Sequence, residues 1–226
     1  MDARRLASLG AMGIPVWVRR DQAGEAARGP ADAGSPDGMG WQALEAAVSG
    51  CVKCGLHAGR TRTVFGVGNR SAEWMIIGEA PGAEEDRRGE PFVGRAGKLL
   101  DSMLAALDLD RDTVFIANIL KCRPPENRDP KPEEARACAP YLRRQIELVA
   151  PKLILAVGRV AAQCLLETDA PLGRLRGRPH RFGDPGVPVI VTYHPAYLLR
   201  RPEAKADAWR DLVAAAAVVR EGREAA

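Results

Sequence analysis

Apolar residues in this chain come in two rhythms. Four short, continuous apolar runs, at 74–77, 113–117, 152–157 and 187–193, read as strands buried on both faces. Between them apolar positions recur at helical spacing over 98–107, 132–149 and 160–166, and an amphipathic stretch over 41–48 comes ahead of the first strand. Continuous apolar strands alternating with helices build a mainly parallel sheet covered on both faces. The pattern predicts a three-layer α/β/α domain around a central, mainly parallel four-stranded sheet.

Before residue 41 this rhythm is lost. Residues 21–40 are Ala, Gly, Pro and charge with almost nothing large to bury, the composition of a flexible linker. Ahead of them Leu6, Leu9, Met12, Ile14, Val16, Trp17 and Val18 form an apolar island. That island either docks on its own domain or, at 6–18, binds a partner protein. The expected organisation is a largely disordered N-terminal extension over 1–40, a catalytic-sized domain over 41–220 and a short tail over 221–226.

Composition narrows the class without naming it. The chain has 226 residues, 46% hydrophobic and 27% charged, as an ordinary globular protein does. No apolar run is long enough to span a bilayer and the N-terminus lacks a signal-peptide pattern, so a soluble, cytoplasmic monomer with no membrane partner is expected. The Ala- and Arg-rich usage suggests a bacterial source with a GC-rich genome. A formal charge of +4 permits a nucleic-acid partner but does not require one. Arg174, Arg176, Arg178, His180 and Arg181 crowd one Gly- and Pro-rich stretch, either a solvated face or a phosphate-binding patch, with His180 facing solvent.

The cysteines change the picture more. Four of the five form an asymmetric set, Cys51-x-x-Cys54 followed by Cys122 and Cys138, in a chain where thiols should stay reduced. Zinc ribbons usually repeat the short clip, and here the second pair is spread over two local structures; spacing alone leaves zinc and an iron-sulfur cluster both open. Cys164, in an apolar helical stretch, reads as a core residue.

The chemistry lies just past the strands. The four runs end at Gly78-Glu79-Ala80-Pro81-Gly82, at Asn118, at Gly158-Arg159 and at His194-Pro195. In open α/β sheets ligands bind at the carboxyl ends of the strands, so these segments should converge on one crevice. The first is a tight turn with Glu79 at its apex, and it matches neither a Walker loop nor the dinucleotide fingerprint. Glu84, Glu85 and Asp86 add carboxylates nearby, and Phe92 offers either a ring to stack on a planar base or a core residue. Asn118 has a donor and an acceptor on one flat amide, matching one edge of a pyrimidine. His194 can donate to an oxygen that gains charge as a bond breaks. Beyond it, Tyr197, Leu198, Leu199, Arg200 and Arg201 combine an apolar wedge with cations, as insertion into a base stack requires.

Four longer segments, Gly78 to Asp86, Gly89 to Gly94, Asn118 to Pro125 and His194 to Leu199, together resemble the family 4 uracil-DNA glycosylases, the iron-sulfur branch of that superfamily. The similarity runs from about Trp41 to Leu212 and takes in all four cysteine positions in order. It implies a DNA-repair hydrolase that flips uracil out of single- or double-stranded DNA and breaks its N-glycosidic bond, starting base excision repair. It implies a 4Fe-4S cluster on Cys51, Cys54, Cys122 and Cys138. These ligands flank the helical side rather than the strand ends, which places the cluster away from the chemistry in a structural role, with DNA positioning or redox sensing as the alternative. A repair or replication protein is then the expected partner of the island at 6–18. It implies a uracil pocket from Glu79, Ala80, Pro81, Glu85, Phe92, Asn118 and His194, with Glu79 and His194 catalytic, Glu79 either positioning water or stabilising the sugar cation. Leu198 or Leu199 would be the wedge, beside Arg200. Family 5 relatives should lack the acid at Glu79, and the DNA-trapping relatives carry a histidine-bearing insert that 121–130 does not have. The competing reading is a non-catalytic iron-sulfur module for electron transfer or nucleic-acid binding, which leaves Glu79, Asn118 and His194 without a reason to meet.

Overall fold

The computed structural model of the chain describes residues 35–183 and 186–224. Its strands are β1 (Val67–Gly68), β2 (Trp74–Gly78), β3 (Phe115–Asn118), β4 (Leu153–Val157), β5 (His180–Phe182) and β6 (Val187–Thr192), in the order β1-β3-β2-β4-β6-β5. The four central strands are the four predicted runs, and they lie parallel. β1 and β5 pair antiparallel at the two edges, making six strands where the pattern showed four. With two and three residues, these edge strands are too short to carry a period of their own.

Eight helices, among the described residues, cover the sheet: α1 (Trp41–Ser49), α2 (Ala83–Arg88), α3 (Arg95–Ala105), α4 (Pro132–Val149), α5 (Arg159–Leu166), α6 (Leu172–Leu175), α7 (Pro195–Arg200) and α8 (Lys205–Glu224). Successive strand side chains point to opposite faces. Trp74 and Ile76 therefore pack with Leu100 and Leu104 of α3 and Leu212 of α8, while Met75 and Ile77 pack with Leu142 and Ile146 of α4 and Leu165 of α5. With both faces covered, every residue of β2, β3 and β4 is buried, and for this reason the runs are continuous rather than alternating. α1 lies against α4 instead, burying Leu44 and Val48 beside Tyr141 and Phe65.

The compact unit begins at Pro36, where the N–H of Met39 donates to the Pro36 carbonyl at 3.0 Å and Arg144 Nε to the Met39 carbonyl at 2.7 Å. At the other end α8 runs through the expected tail, with Arg223 Nε donating to Glu73 at 2.9 Å. The apolar island at 6–18 and the linker up to residue 34 lie outside the described residues. Among the described residues no helix is long and apolar enough to cross a membrane.

Candidate active site

Strand register brings the site together. Gly78 is aligned with Asn118 and Val157 with Thr192, and the pairing continues past the strand ends. The N–H groups of Ile119 and Leu120 donate to the carbonyls of Gly78 and Glu79 at 2.9 and 3.1 Å, and that of Gly158 to Thr192 at 2.9 Å. Gly78 is needed here: a Cβ on it would stand 2.5 Å from both Asn118 Oδ1 and Phe92 Cζ. At Gly158, which has a φ of +101°, a Cβ would stand 3.0 Å from that of His194. Bare backbone thus lets Asn118, Phe92 and His194 close on one another.

Two of these side chains, Asn118 and His194, keep a polar atom unspent. Asn118 is 2% exposed, and its Oδ1 has no hydrogen-bond partner in the protein, a costly state unless a ligand completes it. Thr192 Oγ1, also buried, lacks a partner too. The Phe92 ring stacks beside that of His194, with centroids 5.6 Å apart and planes 29° from parallel. His194 precedes α7, and its Nδ1 accepts from the Ala196 N–H at 3.1 Å, which leaves the proton of the neutral ring on Nε2. Burial first, then the Arg200 charge, pushes its pKa down to about 4, so the ring is a neutral donor near pH 7. Glu79 is the reverse case. Burial and then Asp129 raise its pKa to about 7, against the opposing pull of Arg159.

The loop carrying Phe92 is fixed by groups that sequence reading assigned elsewhere or missed. Phe92 has a φ of +55°, a strained value for a bulky residue. Arg111 secures it by donating to the carbonyls of Pro91, at 3.1 Å, and Phe92, while pairing with Asp101 at 2.7 Å. Gly97 lies directly beneath, for a Cβ there would be 1.6 Å from the Phe92 carbonyl oxygen. Glu85 spends Oε1 on the N–H groups of Val93 and Gly94, at 3.0 and 3.1 Å, so its evident task is to hold this loop. Asp86 does not face the crevice; it is buried and accepts from the Thr61 N–H at 2.9 Å. Glu84 is exposed and pairs with Arg87.

At the wedge, the structure separates two neighbours. Leu198 is 1% exposed and packs in the core with Leu100 and Met103, so it cannot enter DNA without leaving that core. Leu199 is 39% exposed and Tyr197 37%, with Arg200 exposed beside them. Tyr197 stacks on Tyr193 at 4.9 Å, and Arg176 sits 3.9 Å over Tyr193 while pairing with Asp211 at 2.7 Å. Arg176 is therefore not free for phosphate, nor is His180 solvent-facing, since its Nε2 lies 2.7 Å from the Leu175 carbonyl. Arg174 and Arg178 remain exposed.

Cys51, Cys54, Cys122 and Cys138 line one cavity, with Lys121 and Tyr141 in its wall. Two N–H donors point at sulfur: Arg60 at Cys122 Sγ and the Lys121 backbone at Cys138 Sγ, each at 3.3 Å. Burial is the largest cause in raising the Cys122 thiol and in pushing Cys138 up to about 11, and the neighbouring cysteines add to both. No group of three or more His, Cys, Asp or Glu side chains that could hold a metal ion forms among the described residues. Ala80, next to Glu79, sits in one cluster with Cys54, Cys122 and Cys138. Cys164 is only partly buried, at the edge of the core rather than within it.

Comparison with known proteins agrees with this geometry. The family model described as Uracil DNA glycosylase superfamily matches residues 65–213. The chain is 48% identical over 165 residues to the type-4 uracil-DNA glycosylase of Archaeoglobus fulgidus, covering 70% of this chain and 82% of that one. It is 43% identical over 180 residues to that of Pyrobaculum aerophilum, covering 77% and 92%, and 44% identical over 165 residues to that of Sulfurisphaera tokodaii, covering 70% and 75%. With the match spanning every strand end of the crevice, the chain belongs to the uracil DNA glycosylase superfamily, in its type-4 branch.

Proposed function

We propose that the crevice removes uracil from DNA by hydrolysing the bond between the base and its deoxyribose. The observation that carries this is the buried amide of Asn118, one acceptor unspent, set against the Phe92 ring and the free Nε2–H of His194. A flipped uracil stacks on Phe92 and pairs its edge with the Asn118 amide. As the bond from C1′ to N1 breaks, its electron pair passes to the base, and the neutral His194 donates a hydrogen bond to the charge that develops there. Water adds to C1′, leaving an abasic sugar. Ionised Glu79 serves that step, whether by taking up the water's proton or by facing the sugar cation. Leu199, with Tyr197 and Arg200 beside it, is the residue that fills the vacated stack.

The four cysteines suit a 4Fe-4S cluster. An all-sulfur donor set round one cavity, with N–H groups aimed at two of the sulfurs, fits iron-sulfur ligation. When bound, the cluster would draw the thiols into their ionised state and join the 51–54 clip to β3 and α4. The test uses iron-loaded protein and two oligonucleotides, alike except for uracil in place of one thymine, followed by alkaline cleavage at abasic sites. Strand scission at uracil alone is expected; no scission with either would end the enzyme reading in favour of a binding module.

A further inference from the structure

Lys121 is a cation removed from water, 1% exposed. Burying an ammonium group costs several kcal/mol unless it is hydrogen-bonded and paired, and a methionine of similar length would fill the space without that cost. The ammonium holds specific partners. Nζ donates to the backbone carbonyl of Asn118 at 2.9 Å and to Gln145 Oε1 at 2.6 Å. Gln145, itself fully buried, donates from Nε2 to the Phe65 carbonyl at 2.8 Å. The backbone of the same lysine donates to Cys138 Sγ at 3.3 Å and accepts from the Val64 N–H at 2.8 Å. Neither Asn118 nor Gln145 carries charge, and the ionisable group that acts on the lysine is the Cys138 thiol.

We propose that Lys121 is a positioning residue for base recognition, clamping Asn118 so that its amide meets the uracil edge and tying that clamp to the cysteine site through Cys138. This role rests on Asn118 as the reader of the base and on the cysteines as cluster ligands. It makes the end of β3 a shared part. Asn118 faces the base, and three residues later the same chain holds the sulfur site, with α4 closing the link through Gln145. The cluster then acts on recognition through chain geometry, without touching the substrate.

The test is a double-mutant cycle between Lys121→Met and Asn118→Ala in iron-loaded protein, reading single-turnover excision, inhibition by free uracil, and iron and sulfide content. Lys121→Met should keep its iron, slow excision roughly ten- to a hundredfold as one charge-assisted hydrogen bond is lost, and weaken uracil inhibition by a similar factor. In the Asn118→Ala background it should add less than about threefold, because residues acting as one unit are not additive. Equal losses in both backgrounds would mean a general packing role and overturn the proposal, as would wild-type excision by folded Lys121→Met protein. If Lys121→Met does not fold, Gln145→Leu, which removes the second anchor of the ammonium, should show the same non-additive pattern; its absence there is equally fatal. Wild-type protein that releases no uracil would defeat the underlying assignment, and this inference with it.

Discussion

In the strand-end crevice two polar side chains keep one atom in reserve: His194 is fixed through Nδ1 with Nε2–H free, and Asn118 lies buried with Oδ1 unpaired. In the cysteine cavity the Cys122 and Cys138 thiols are pushed toward their neutral forms by burial and by neighbouring cysteines, the reverse of what a ligand set needs. The first region is organised before its substrate arrives, while the second is completed by what binds it. Damage to the crevice should therefore cost rate and leave folding alone, whereas damage to the cavity should cost folding.

The sharpest break of that contrast is at His194. His194→Ala should slow excision on the order of 100- to 1000-fold, the usual cost of removing a donor to developing charge, with iron content unchanged and stability lowered by only about 1 kcal/mol, the worth of the lost cap on α7. Cys122→Ser should do the opposite, lowering iron content and folding stability by at least about 3 kcal/mol in chemical denaturation, since ligand-binding free energy is folding free energy. Retained folding with abolished excision would show that the cluster does more than support structure. Leu198 and Leu199 repeat the contrast in adjacent residues. Leu198→Ala should destabilise by about 2–5 kcal/mol as a core cavity opens, and Leu199→Ala should leave Tm unchanged while slowing excision from duplex more than from single strands.

The pH response is the smallest effect. Both roles open to Glu79 need the carboxylate, and a pKa raised to about 7 keeps it neutral below that pH and ionised above it. Excision under kcat/KM conditions should rise roughly tenfold from pH 6 to pH 8, and Glu79→Gln should abolish the rise. His194, already neutral above pH 5, should add no inflection there.

These contrasts also mark how far the sequence was legible. The four parallel strands could be read because each is buried on both faces, and with them the crevice, because Glu79, Asn118 and His194 stand immediately at or after strand ends. The edge strands could not, being too short for a period. Leu198 and Leu199 look alike as letters, and only their angle about α7 sends one to the core and the other to solvent. Asp86 and Lys121 were hidden for a different reason. A charged residue defaults to the surface, and the partners that hold these two come from segments far away in the chain.

That the crevice reads and releases uracil is tested most directly by the single-turnover release of uracil from DNA by iron-loaded Asn118→Ala protein against wild type. Release slowed by ~10- to 100-fold is predicted, the worth of a paired amide contact to a base edge, at unchanged iron content. Release at the wild-type rate would contradict the assignment.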